Sequence, residues 1–270
     1  MAAHRPSLVV ELGTHNGFSY FVFCDAVVRL GLDARTYAVD TWEGDVHAGF
    51  YGEDVFAAVK QVNDAEYGSF STLLRMTFDE ALSRIQDGSV DLLHLDGRHR
   101  YEDVRHDFES WLPKLSSRGV VLFHDIAERR EDFGVWRYWE ELSDRWPSFA
   151  FEHGHGLGVL GVGDAGLSPQ MAEFFSAADH DGDVIRSTYA ALGAREESDL
   201  LRESELRHAA ERDRRRIETL EKEKAALEGA LESARRDVVD VEAALDATYA
   251  STSWKVTRPL RALGSAVRRG

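Results

Sequence analysis

The chain has 270 residues, 43% of them hydrophobic, and a formal net charge of −16 at pH 7. That acidity argues against general nucleic-acid binding, and a single cysteine, Cys24, excludes an internal disulfide and fits a reducing compartment. No apolar run approaches the roughly 18 residues of a membrane span, and no signal-peptide pattern precedes the first strand, so a cytoplasmic protein is expected.

In chain order, Ser7–Leu12 reads as a strand and Phe18–Leu30 as a helix, with Cys24 a small buried side chain on it. Thr36–Asp40 is a second strand, Asp54–Tyr67 a helix, Phe70–Met76 a third strand and Phe78–Gln86 a short helix. Val90–Asp96 is a fourth strand, followed by a helix over Tyr101–Leu115 that Pro113 breaks late. Gly119–His124 is a fifth strand and Phe133–Trp146 a helix; Phe149–His153 and Leu157–Val162 then form a hairpin. Alternating strands and helices predict an α/β fold, a parallel sheet covered on both faces. The closing hairpin points to a Rossmann-like, seven-stranded sheet with one antiparallel edge.

The expected organisation is a Rossmann-like domain over 1–163, a linker with short helices near Gln170–Ala178 and Val184–Leu192 over 164–195, a coiled coil over 196–250 and a basic amphipathic tail over 251–270. The coil follows from a seven-residue register. One core line runs through Ala210, Ile217, Lys224, Leu231, Val238 and Leu245, the other through Leu206, Asp213, Leu220, Leu227, Ala234 and Val241. Such a seam predicts a homo-oligomer, with the number of strands open. The tail holds Lys255, Arg258, Arg261, Arg268 and Arg269 and no acid, interleaved with Trp254, Val256, Leu260, Leu263 and Val267; it either rests on an anionic membrane surface or is solvated.

Open parallel sheets bind ligands beyond the C-terminal ends of their strands. The first strand ends in Glu11-Leu-Gly13-Thr14-His15-Asn16-Gly17-Phe-Ser19. His15 stands where a dinucleotide fingerprint wants its middle glycine, which disfavours a pyrophosphate and therefore a nicotinamide cofactor. Glu11 suits a ligand with an ammonium group. Asp40, followed by Thr41, can accept ribose hydroxyls, and Trp42 either packs over a nucleoside or walls the acceptor pocket. Met76, Thr77 and Phe78 offer an apolar wall and a hydrogen bond. Asp96 with the His124-Asp125 pair can hold a divalent cation, Mg²⁺ or Mn²⁺ by its oxygen character. His99 can take a proton from a hydroxyl as a neutral imidazole. The segment Glu43–Val55, with His47, Phe50 and Tyr51, covers the site and sets acceptor specificity.

The stretches VELGTHNGFS, YAVDTW, DLLHLDGRHRYEDVRHDFESWLPKL and GVVLFHD resemble class I S-adenosylmethionine-dependent methyltransferases, and more narrowly the bacterial macrolide and glycan O-methyltransferases. The resemblance covers about residues 8 to 126. It implies that Glu11 and Gly13 bind the methionine part of S-adenosylmethionine and Asp40 its ribose. The neighbouring Thr14, Asn16, Gly17, Ser19, Thr41, Thr77, Phe78 and Asp96 are further cofactor candidates. Metal-dependent relatives carry D-x-x-H after the fourth strand and an acidic pair after the fifth. Asp96 and His99, the catalytic candidates, match the first motif; Asp125 matches one member of the pair, and His124 stands where an acid is usual. The segment from Ser251 to Arg261 resembles one that follows coiled coils in bacterial cell-surface glycan enzymes. The implied activity is O-methylation of a saccharide or glycosylated acceptor, at the inner face of the cell membrane if the tail touches it. The alternatives are a macrolide-type natural-product methyltransferase, or a non-catalytic nucleoside-binding module docked to a glycosyltransferase.

Overall fold

A computed structural model describes residues 1–45, 49–130, 132–163 and 166–258. His47 and the tail from Pro259 onward, both singled out above, lie outside the described residues. The chain divides into two compact units, Met1–Glu196 and Glu197–Gly270.

The first unit runs β1 (Leu8–Leu12), α1 (Phe18–Arg29), β2 (Arg35–Asp40), β3 (Gly44–Asp45), β4 (Gly49–Phe50), α2 (Glu53–Val62), β5 (Ser71–Arg75), α3 (Phe78–Ala81), β6 (Val90–Leu95), α4 (Tyr101–Trp111), β7 (Leu115–His124), α5 (Val135–Ser143), β8 (Ser148–Phe151) and β9 (Leu157–Gly161). It then enters α6 (Pro169–Ala250), which continues through the second unit and is followed there by α7 (Thr252–Val256). The main sheet has the order β5-β2-β1-β6-β7-β9-β8. β5, β2, β1, β6 and β7 are parallel, while β9 pairs antiparallel with both β7 and β8. This is the Rossmann-like, seven-stranded sheet with a terminal antiparallel hairpin that the sequence predicts.

The alternation of a strand's side chains sorts the core. Val10, Leu12, Leu93, Leu95 and Phe123 pack on one face against Phe108, Trp111 and Trp139 of α4 and α5. Val9, Leu92, Val120 and Val159 pack on the other, against Met171 and Phe175. Those last two residues alter one expectation. The stretch read as a linker is the beginning of α6, and Met171, Phe174, Phe175, Ala178 and Ile185 lie against the sheet at helical spacing. A kink at Asp181, with non-helical backbone, separates two helical stretches there, at the break between the two short helices the sequence predicts.

Smaller differences have local causes. α2 gives way to a π-turn over Asn63–Tyr67, where buried Asn63 accepts a hydrogen bond from the Ser71 hydroxyl of β5. α4 yields to a 3₁₀ turn over Leu112–Lys114, as Pro113 dictates. β7 starts at Leu115, earlier than expected, because a register shift lets Leu115 pair with Val90.

The strand order reverses between β1 and β6, so their C-terminal ends diverge into a crevice. The register sets Leu12 beside Leu95, and the Asp96 N–H donates to the Leu12 carbonyl at 2.9 Å. Gly13 and Asp96 therefore face each other across the crevice floor. A β-carbon on Gly13 would sit 2.0 Å from the Asp96 carbonyl oxygen, and its φ of +89° is one that glycine adopts freely.

In the second unit, α6 is exposed along nearly its whole length to Ala250. Ser251 caps the short α7, its hydroxyl accepting from the Trp254 N–H at 3.2 Å. Among the described residues no helix is long and apolar enough to cross a membrane.

Candidate active site

A cavity of about 650 Å³ opens at the crevice. That is within the usual range for a small-molecule site. Its wall includes Gly13, Thr14, Asn16, Ser19, Asp40, Thr41, Thr77, Phe78, Asp96, His99 and His124. Residues from five strand ends, separated by more than a hundred positions in sequence, thus meet in one place.

At the β1–β2 end the loop is organised by Asp40. Its Oδ2 accepts from the backbone N–H of Thr14 at 2.8 Å and of His15 at 2.9 Å, and its Oδ1 from that of Trp42 at 2.7 Å. Those three bonds leave about one acceptor site, on Oδ1, for a ribose hydroxyl, since a carboxylate offers about four. Trp42 contradicts its sequence expectation. It is 1% exposed, packed with Tyr20, Cys24, Ala38 and Val59, and its indole N–H donates to the His15 carbonyl at 2.9 Å. A φ of +54° at Trp42 turns the ring inward, away from any ligand. Tyr51 takes the place at the wall, its ring 4.6 Å from that of His15.

Glu11 lies behind the wall, fully buried. Its Oε1 accepts from the Ser19 hydroxyl at 2.6 Å and from Nδ1 of His94 on β6 at 2.9 Å, while Oε2 has no hydrogen-bond partner. A direct contact to a ligand is therefore not how this acid is placed. Ser19, which does line the cavity, spends its proton on Glu11 and keeps its oxygen free to accept from an ammonium group. Gly17, with φ of +80°, serves the turn into α1 and is not in the wall. Thr77 lines the cavity, but its hydroxyl is committed to the α3 capping box with Glu80. Met76 packs against the core instead of the wall.

At the β6–β7 end four titratable groups converge. His99 Nε2 is 2.8 Å from Asp125 Oδ2 and 3.8 Å from Asp96 Oδ1. His124 Nδ1 is 3.0 Å from Asp125 Oδ1 and 3.3 Å from Asp96 Oδ1. Phe133 stacks on the His99 ring with centroids 4.6 Å apart, and the Gly134 N–H holds the His99 carbonyl at 2.7 Å. Asp125 lies behind the wall with φ of +62°, a conformation Asp tolerates better than most residues. Burial disfavours charge on His99, yet Asp125 and Asp96 outweigh it and raise its pKa to about 9. The same contest leaves His124 at about 10. Burial also works against the Asp96 and Asp125 carboxylates, and the two imidazoles hold both well below the usual range all the same. By itself this cluster favours the protonated form of His99 near neutral pH.

One ligand atom each from Asp96, His124 and Asp125 falls within 4.8 Å of the others. His124 Nδ1 is buried between the carboxylates without a well-aligned hydrogen bond to either. Two hard oxygens and an orphaned imidazole nitrogen form a donor set that fits a divalent cation.

The outer wall holds residues that the strand-end reading passed over. Asp79 and His106 pair at 2.9 Å on the rim, and Phe18 lines the mouth, 78% exposed. Asp107 lies further in; burial, with the Asp103 and Asp79 charges adding to it, pushes its carboxyl up to about 7. The i, i+4 spacing of Asp103 and Asp107, which puts both on one side of α4, was the available signal.

Residues 10–126, all within the first unit, match the family described as a methyltransferase domain. An uncharacterized protein of Sinorhizobium fredii, y4gI, is 57% identical over 170 residues, which are 62% of this chain and 19% of that protein. The chain thus spans less than a fifth of that relative's length. Among solved structures, a methyltransferase from Geobacter sulfurreducens is 18% identical with a TM-score of 0.43, the match covering 58% of this chain and 72% of that one. The O-methyltransferase TomG of Streptomyces achromogenes, involved in tomaymycin synthesis and solved with S-adenosylmethionine, is 16% identical with a TM-score of 0.44, covering 60% and 76%.

Proposed function

We propose that the chain transfers a methyl group from S-adenosylmethionine to a hydroxyl of a saccharide or glycosylated small molecule in bacterial surface glycan synthesis. The observation that carries this reading is the cavity shared by Asp40, Ser19, Asp96 and His99, in a unit whose residues 10–126 match a methyltransferase-domain family. Asp40 receives a ribose hydroxyl, Phe78 walls the base, and Ser19, backed by Glu11, accepts from the ammonium group. The acceptor hydroxyl lies at the Asp96–His99 end. The glycan assignment rests on the resemblance of the segment after the coil, and contact with the membrane on the basic residues of the tail.

The donor methyl is already activated on a sulfonium, so alignment is the main task; orientation contributes on the order of 7–11 kcal/mol. The hydroxyl oxygen attacks the methyl carbon, the carbon–sulfur bond breaks, and the sulfur leaves neutral. The hydroxyl proton goes to the neutral form of His99, on whose ring Phe133 stacks; the protonated ring then pairs through Nε2–H with Asp125. Asp96, Asp125 and His124 would hold a divalent cation, whose chemistry there is to lower the pKa of a bound hydroxyl.

The test is transfer of labelled methyl to a panel of saccharides and glycosylated macrolides, over a pH series, with EDTA and after Mg²⁺ add-back. Without added metal the rate should climb with pH towards about 9, the His99 value, and His99→Ala should lower kcat by about 10²–10⁴. Cofactor binding with no turnover on any acceptor would leave only the docking-module reading. Full turnover after thorough chelation would remove the cation.

A further inference from the structure

Among the described residues of the second unit, α6 presents an exposed seam. Leu206, Leu220, Leu227 and Leu231 are 70%, 45%, 71% and 54% exposed. Two charged residues interrupt the seam, Lys224 on one core line and Asp213 on the other. Charges at such positions select orientation and register in paired helices.

We propose that Leu206–Leu231 pairs with the same stretch of a second copy of this chain, antiparallel, about a twofold axis passing between Glu218 and Thr219. In an antiparallel pair, each residue of one core line meets a residue of the other line. Only one register brings Lys224 of one copy against Asp213 of the other. That same register sets Ile217 against Leu220, Ala210 against Leu227 and Leu206 against Leu231, so every other layer is apolar. The flanking positions agree independently. Those nearest in height are Arg207 with Glu228, Arg214 with Glu221 and Arg216 with Glu223, each pair opposite in sign and formed twice by symmetry.

The competing arrangements conflict with the charges. A parallel, in-register pair sets Lys224 against Lys224 and Asp213 against Asp213, and brings Glu223 near Glu228 and Asp237 near Glu242. Within the seam, any other antiparallel register faces both core charges with uncharged residues, which is costly for a desolvated charge. Along the single helix Arg207 pairs with Glu203 at 2.5 Å, Arg214 with Glu218 at 3.5 Å and Lys224 with Glu228 at 3.9 Å. These are exposed pairs of little strength, and they exchange readily for contacts across a dimer. The paired stretch is about 40 Å long, and Val238, Val241 and Leu245 lie beyond it. The proposal stands whether or not the cavity of the first unit carries methyl transfer.

The experiment measures the mass of the full chain by analytical ultracentrifugation, for the unaltered protein and for Lys224→Asp, Asp213→Lys and the double variant. The expected result is twice the chain mass of 30.3 kDa. Each single variant should weaken the dimer by on the order of tenfold or more, and the double variant should restore it. A parallel dimer carries like pairs in all four proteins, so equal affinities across the set would overturn the proposal, as would a monomer or a larger assembly. A nitroxide on Glu205→Cys gives a second readout that does not depend on the charges. The antiparallel pair separates the two labels by about 40 Å along the axis, and a separation close to the width of a helix pair would contradict it.

Discussion

The two ends of the cavity hold their carboxylates in different ways. Asp40 is fixed by three backbone N–H groups, which cannot lose their protons in any ordinary solution. Asp96 and Asp125 are fixed by His99 and His124, which can. The first arrangement is a permanent receptor that shapes the loop before a ligand arrives. The second is exchangeable, because its positive charge can come from protons or from a cation. We assign binding to the backbone-held end and proton transfer to the imidazole-held end.

The largest effect that sharpens this contrast is at Asp125. Asp125→Asn takes a charged partner from both imidazoles while leaving the cavity wall unchanged, so kcat should fall by about 10²–10⁴. Affinity for S-adenosylmethionine should stay within a few-fold. Equal losses in kcat and affinity, measured by steady-state kinetics and calorimetry, would merge the two ends into one function. Asp40→Ala should do the reverse. It strands three N–H groups and removes the ribose acceptor, so cofactor affinity should weaken by about 10- to 100-fold, as for loss of a charged hydrogen-bond acceptor.

Stability against pH separates the ends again. His99 and His124 are raised from 6.5 to about 9 and about 10. Their ion pairs therefore contribute fully below pH 6.5, and the contribution is lost as pH rises through 9 and 10. Asp96 and Asp125 are depressed from 3.8, so the same contribution also disappears as strong acid protonates them. Metal-free protein should lose on the order of 2 kcal/mol between pH 6.5 and 10 by chemical denaturation. His124→Gln should flatten that slope.

The smallest effect is at Asp107. Its carboxyl is raised from 3.8 to about 7, so folding favours its protonated form and stability falls as pH rises through that interval. Asp107→Asn removes the penalty. It should raise the Tm at pH 8 by a few degrees, about 1 kcal/mol after allowance for partial exposure, and change nothing at pH 3. An unchanged Tm at pH 8 would mean that this aspartate is ionised at no cost.

The sheet was legible because apolar runs such as VVEL and GVVLF declare buried parallel strands, and the closing hairpin declares its edge. Asp40, Asp96 and His99 were legible because strand ends concentrate ligand contacts in this architecture. Trp42 was misplaced because a positive φ at a bulky residue is set by the Asp40 and His15 contacts around it, which local sequence does not encode. Glu11 was half read. The acid was found, but its partner His94 sits in the middle of a buried strand, where a lone histidine reads as core. The helices at the start of α6 and the break between them were legible, but their packing on the sheet was not, because the polar run Asp179–Asp183 masks the apolar stripe of Met171, Phe175 and Ile185. The pairing that favours protonated His99 was not legible, since it depends on Asp125, many residues away in sequence.

Calorimetric titration of the full chain with S-adenosylmethionine, S-adenosylhomocysteine and NAD tests the central claim most directly. Saturable binding of the two sulfur nucleosides, one per chain, weakened in Asp40→Ala and absent for NAD, is the predicted result. Absence of heat with either sulfur nucleoside, or affinity for them that ignores Asp40, would contradict it.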